Sequence, residues 1–257
     1  MTDPPDAPVE LDPFARLRSM TSARVALGRS GAGLPTTAML AFQRDHALAR
    51  DAVQAIFDPS MVAAELAEFE TVSVASRAAD RSAYLRRPDL GRRLAEADAA
   101  RLSAGEWDLA IVVADGLSAE AAHRHAPPLV RALTARLTGW RLAPLVLASM
   151  ARVAVGDEIG ACLGAAMVVV LIGERPGLSS PDSLGAYLTW RPTVGRLDSE
   201  RNCVSNIRPP LGLDYAAAAD ALIWLATTAR QRSATGVSLR DDRTPVDPLA
   251  TPQPLIA

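Results

Sequence analysis

The sequence predicts an α/β fold, a Rossmann-like parallel sheet with helices on both faces, preceded by a mostly helical N-terminal extension. Three observations carry this expectation. From residue 107 onward, apolar runs of β-compatible residues alternate with helical stretches, which is how strands buried on both faces read. Before residue 105 helical periodicity prevails and no convincing strand stands out. Hydrophobic residues make up 49% of the 257, ample for a packed core beneath such a sheet.

The elements follow in order. Residues 1–10, acidic and rich in proline, read as a disordered leader. The helical region covers 11–105. Its clearest helix is 37–57, where Met39, Phe42, Ala49, Val53 and Ile56 recur at helical spacing after Pro35 and Thr36, and where Asp58-Pro59 ends the pattern. A second helix is expected at 60–69, and a third at 89–102 with Leu90, Leu94 and Leu102 on its inner face. Residues 106–240 form the Rossmann-like domain. Strands are expected at 109–114, 142–148 and 167–172, with an edge strand at 186–190. Helices are expected at 118–137 with Ser118 as N-cap, at 157–163 closed by Gly164, and at 215–232 with Asp214 as N-cap and Gly236 as terminator. Residues 201–208 are a polar segment, and 241–257 read as a mobile tail.

Right-handed crossovers place the carboxyl ends of parallel strands on one edge, where ligands of open α/β sheets bind. Segments 115–118, 149–153 and 173–180 should therefore lie together. The last, within Gly173-Glu-Arg-Pro-Gly-Leu-Ser-Ser-Pro181, holds two glycines and two prolines, a composition that fixes a backbone shape.

Composition limits the chemistry. All 27 basic residues are arginine, so a Schiff base and a Walker-A lysine are both excluded. A formal net charge of −2 leaves no basic footprint for nucleic acid. Two cysteines, Cys162 and Cys203, are too few for a disulfide scaffold or a cysteine-only metal site. The absence of a signal-like start and of a long apolar span makes a soluble intracellular protein the default.

Several residues invite both a chemical role and a plainer one. Gly31-Ala-Gly33 lacks a preceding strand and a third glycine, so it reads as a helix-entry loop. Ser118 occupies a strand-to-helix junction like that of a hydrolase nucleophile, with His123 or His125 as its base. Its surroundings lack the second glycine of G-x-S-x-G, and helix capping explains it more simply. The two-residue spacing of the histidines does not suit a shared metal on one helix face. Glu174 ends a central strand, where an unpaired carboxylate is costly; its partner is Arg175, a nearby loop, or a ligand's amide or hydroxyl. Cys203 reads as a small buried hydrophobe. Arg86-Arg87 and Arg92-Arg93 are solvated or interfacial. No activated nucleophile, carboxylate pair or metal cluster emerges, which describes a binder and not a self-sufficient catalyst.

Five ordered strings go further: Ala23-Arg-Val-Ala-Leu-Gly-Arg29, Tyr84-Leu-Arg-Arg-Pro-Asp-Leu-Gly-Arg-Arg-Leu94, Val113-Ala-Asp-Gly-Leu-Ser118, Gly173-Glu-Arg-Pro-Gly-Leu-Ser-Ser-Pro-Asp-Ser183 and Arg201-Asn-Cys-Val-Ser-Asn-Ile207. Together, over about residues 21–236, they resemble the small (light) subunit of ethanolamine ammonia-lyase. The resemblance implies an adenosylcobalamin-dependent lyase that converts ethanolamine to acetaldehyde and ammonia by a radical mechanism. It implies a large TIM-barrel subunit that holds substrate, and a non-catalytic but required small subunit that helps to enclose the cobalamin at their interface, within a higher hetero-oligomer. By the same resemblance, the cofactor contacts are Val153, Glu174 and Cys203. The family pattern has glycine where Ala151 stands. The chain lacks D-x-H-x-x-G, so the resemblance implies base-on cobalamin. The implied location is the bacterial cytoplasm, with packaging in a bacterial microcompartment known for some relatives. Two alternatives stay open from the residues alone: a stand-alone α/β hydrolase using Ser118 with His123 or His125, and a cobalamin- or small-molecule-binding module without a partner.

Overall fold

A computed structural model describes residues 14–21 and 23–240. The expected leader (1–10) and tail (241–257) lie outside the described residues. The elements in chain order are α1 (Ala15–Ser19), α2 (Thr36–Gln54), α3 (Pro59–Glu65), β1 (Thr71–Ala75), α4 (Arg81–Arg86), α5 (Glu96–Ala99), β2 (Leu109–Ala114), α6 (Ala119–Thr134), β3 (Leu145–Ser149), α7 (Val155–Leu163), β4 (Met167–Gly173), β5 (Leu184–Trp190), β6 (Arg201–Ile207) and α8 (Tyr215–Arg232).

The strands form one sheet in the order β1-β3-β2-β4-β5-β6. The first four are mutually parallel, and β5 and β6 extend the sheet antiparallel from β4. Period-two alternation divides the core. Leu109, Ile111, Val113, Leu147, Val169 and Leu171 face α3, α6 and α8, whereas Ala110, Val112, Val146, Val168 and Val170 face α7 and the segment around Leu94 and Leu102. Both faces of the parallel core are thus covered, as its continuous apolar strands require.

Four expectations change. The N-terminal region does supply a strand: β1, Thr-Val-Ser-Val-Ala, pairs with β3 residue for residue from Thr71 to Ala75. As an edge strand it is mostly half-buried, so its sequence carries serine and threonine in place of an apolar run. Residues 89–102 are not one helix. A 3₁₀ turn at Leu90–Arg92 and the four-residue α5 flank an extended segment. There the Arg93 carbonyl accepts from the Arg77 N–H, Leu94 bridges to Ser76, and the Leu94 N–H donates to Glu158, so tertiary partners replace the helical ones. Strand β5 is internal, and the polar segment 201–208 supplies the edge strand β6. That strand buries Arg201, Val204 and Ile207 and exposes Cys203, Ser205 and Asn206. Finally, α8 ends at Ser233, which takes the left-handed conformation (φ +53°) expected of Gly236. The N-caps Ser118 and Asp214 and the left-handed Gly164 (φ +69°) are as expected.

Candidate functional site

The site begins at the sheet's carboxyl edge. The chain leaves β2 toward β3 on one side and β4 toward β5 on the other, so their loops diverge and open a crevice. Two glycines set how closely these loops approach. Gly116 is left-handed (φ +56°), and a methyl group on it would collide with the Gly173 carbonyl oxygen; one on Gly173 would meet the carbonyl oxygens of Ser118 and Asp115. The Leu117 N–H then donates to the Gly173 carbonyl at 2.9 Å.

The loop after β3 is tied in by Asp115. This buried carboxylate accepts from the Ala151 N–H at 2.9 Å and from Arg81 Nη1 at 3.1 Å. Burial pushes the carboxyl up to about 6, outweighing those donors and the Arg81 charge. The left-handed residue of this turn is Met150 (φ +52°), not Ala151, so alanine fits where the family pattern has glycine. Arg81 and Arg152 both stack on the Tyr84 ring, 4.8 and 4.3 Å from its centroid, and the Tyr84 hydroxyl donates to the Ala151 carbonyl at 3.1 Å. The three segments expected at this edge therefore form one hydrogen-bonded unit.

Three open clefts meet here, and Arg152 lines all of them. One of about 410 Å³ is lined by Leu117, Val153, Glu174 and Tyr187, among others. Its neighbour, about 740 Å³, shares Val153 and Tyr187 and adds Asp89, Arg92 and Asp198. A third faces α2.

Val153 and Glu174 thus share a cleft. Glu174 is half-buried; its Oε2 accepts from Ser183 Oγ at 2.5 Å and from the Asn206 N–H at 3.4 Å, whereas Arg175 is exposed and forms no ion pair with it. Of the open partners for Glu174, the chain supplies the loop hydrogen bond. Its Oε1 takes no hydrogen bond from the described residues. Cys203 corrects an expectation, because it is exposed and not a buried hydrophobe. It lies opposite Tyr187 in the β5–β6 register. Burial pushes the Tyr187 hydroxyl well above its ordinary pKa, and the neighbouring Cys203 and Glu174 push it the same way. Tyr187 is therefore the side chain that brings the three predicted residues together.

Ser118 is fully buried, its Oγ accepting from the Ala121 N–H at 3.3 Å and donating to the Pro181 carbonyl at 3.0 Å. His123 Nε2 accepts from the Asp58 N–H at 3.0 Å, and His125 Nδ1 lies 2.8 Å from the Tyr215 hydroxyl. Burial pushes the His125 pKa down against the pull of Asp182. Neither imidazole is a partner of Ser118, so the geometry gives a cap and not a nucleophile with its base.

Tyr187 and Arg152 were missed as site residues. Arg152 adjoins Val153 in sequence, and Tyr187 is the lone aromatic within an otherwise small and aliphatic stretch, Leu184-Gly-Ala-Tyr-Leu188. Either peculiarity could have flagged them.

Comparison with known proteins adds a family. Residues 11–240 match the family described as ethanolamine ammonia-lyase light chain (EutC). Similar proteins include the ethanolamine ammonia-lyase small subunit of Pseudomonas syringae pv. tomato, 52% identical over 94% of this chain and 88% of the relative. The small subunit of Ralstonia nicotianae is 52% identical over 94% of each chain. That of Azotobacter vinelandii is 53% identical over 92% of this chain and 91% of the relative.

Proposed function

Because the chain belongs to the ethanolamine ammonia-lyase light chain family, we propose that it is the non-catalytic small subunit of an adenosylcobalamin-dependent ethanolamine ammonia-lyase. In this reading it joins a large subunit in a higher hetero-oligomer in the bacterial cytoplasm and helps to enclose base-on cobalamin. The large subunit holds ethanolamine, which is converted to acetaldehyde and ammonia. What the cofactor supplies when bound is radical chemistry by cobalt–carbon homolysis, leaving this chain to bind, orient and exclude water.

The observation that carries the reading is the meeting of Val153, Glu174 and Cys203 around Tyr187 at the carboxyl edge. The residues fit the group. A corrin bears amide side chains that both donate and accept on an otherwise apolar rim. Glu174 Oε1 offers an uncommitted acceptor for an amide N–H, and Ser183 fixes the other oxygen so that the carboxylate is pre-oriented. Val153 and Leu117 offer apolar contact, and Cys203, exposed on β6, lies opposite Tyr187. Open adjoining clefts also suit a broad ligand clasped between two subunits better than a small one engulfed by one.

The test is to co-purify the chain with a large subunit and follow cobalamin binding by its absorption spectrum and acetaldehyde release by a coupled assay. Glu174→Ala is expected to raise the apparent Kd for adenosylcobalamin about tenfold, the loss of one hydrogen bond to a charged group. An unchanged Kd overturns the role of Glu174. No stable complex, or a complex without acetaldehyde release, overturns the whole reading. The isolated chain is expected to release no acetaldehyde.

A further inference from the structure

The third cleft, about 510 Å³, lies between α2 and the loop after β4 and adjoins the cleft of Val153 and Glu174, with which it shares Leu117, Arg152 and Arg175. Its charged lining is of one sign. Arg50 comes from α2, Arg152 from the loop after β3 and Arg175 from the loop after β4, and no carboxylate lines it. This local excess runs against the chain's overall negative balance.

The guanidinium groups are largely uncommitted. Arg175 has no ion-pair or hydrogen-bond partner among the described residues and is exposed. Arg152 also has no carboxylate partner; its Nη2 donates to the Tyr84 carbonyl at 3.3 Å, and Nη1 donates to nothing in the described chain. Stacking on Tyr84 nevertheless holds the Arg152 plane in place, so its free donors are pre-oriented. Arg50 has one contact, with Asp51 at 3.5 Å, and both side chains are 69% exposed, a pair worth little in water. Apolar walls complete the cleft: Val53, Leu85, Leu117 and Leu178.

We infer that this cleft is a binding site for a phosphate ester with an apolar body, its phosphoryl oxygens held by Arg50, Arg152 and Arg175. Guanidinium groups from three separate elements match a group with several charged oxygens better than a carboxylate with two, and forked donors recognise phosphate through paired hydrogen bonds. The apolar walls would take the ester's carbon skeleton and exclude a fully hydrated polyanion. Two sources share this chemistry: the phosphodiester of the cobalamin nucleotide loop, and a separate small phosphate ester. The inference rests on the cobalamin reading where the cofactor supplies the phosphodiester and goes beyond it where a separate ester does, and a probe without a corrin keeps the two distinguishable.

The probe is phenyl phosphate, titrated calorimetrically into the full chain and into its complex with the large subunit, with phenol as the uncharged control. Saturable binding of phenyl phosphate, with none of phenol, is expected in both preparations. Arg50→Gln and Arg175→Gln, at exposed positions that leave the fold intact, should each raise the Kd about tenfold, the loss of one charge-assisted hydrogen bond. Arg50→Lys should recover only part of that affinity. Competition then separates the sources. Displacement by hydroxocobalamin but not by cobinamide, which lacks the nucleotide phosphate, identifies the cofactor's phosphodiester; displacement by neither identifies a separate ester. Binding that does not saturate, a Kd indifferent to both variants, or loss of binding when the large subunit is present would each overturn the inference, the last by showing that partner side chains occupy the cleft. Cobalamin binding that fails while phenyl phosphate binding persists would overturn the cofactor reading alone.

Discussion

Asp115 stands where burial and charge compete, and its titration should be visible in stability. In an unfolded chain an aspartate titrates near 3.9; in the fold, burial raises the value to about 6. The folded state therefore holds the proton more tightly between these values, and the contribution to stability is greatest below about pH 4 and falls as pH rises to about 6. The fall amounts to roughly 3 kcal/mol at about 1.4 kcal/mol per unit. Urea midpoints measured from pH 4 to 7 should show this descent in the wild type relative to Asp115→Asn; parallel profiles would refute it. Ser118→Ala should cost about 1 kcal/mol as a lost N-cap, read from the same denaturation curves. At this scale the sequence was legible where chain position implied a duty, as for Ser118 at a strand-to-helix junction and Glu174 at a strand end. It was not legible for Tyr187, whose role depends on the register with Cys203 across two antiparallel strands, which no local pattern encodes.

Among elements, the one that holds the edge strand in place is a buried ion pair. Arg201 at the start of β6 donates to both carboxylate oxygens of Asp157 on α7, at 2.6 and 2.7 Å, and also to Thr189 Oγ1 on β5 at 2.9 Å. Both charged side chains are at most 2% exposed. Burial raises the Asp157 pKa despite the guanidinium beside it. Asp157→Leu alone leaves the buried Arg201 only the exposed Asp198, 3.5 Å from its Nε, and should lower stability by about 3 kcal/mol. Adding Arg201→Met should recover much of that loss, and a double variant no better than the single would contradict this. The strands that apolar runs announced, β2 and β4, were readable because both faces are covered. The strands β1 and β6 were not, since an edge strand half-open to water is written in polar residues that resemble a loop. The break within 89–102 was hidden for another reason: its hydrogen-bond partners, Arg77 and Glu158, lie on other elements.

Across the molecule, cohesion is uneven. Helix α6 buries nine residues against the sheet and α8, whereas α2, although longer, has no fully buried residue. Amide hydrogen exchange should therefore be markedly faster along α2 than along α6 in the isolated chain, and equal protection would contradict this. The α/β class was legible in the alternation of apolar runs and helices, but the antiparallel extension beyond β4 was not, because its loop of ten residues resembles any other connection. The side chain common to all three clefts, Arg152, has a practical consequence for genetics at this edge. A substitution there is pleiotropic by construction, so its phenotype cannot be attributed to one ligand. Orthogonal alleles exist instead: Glu174 belongs to the first cleft alone, Asp198 to the second and Arg50 to the third, the one facing α2, and epistasis among those three would map which clefts one ligand spans.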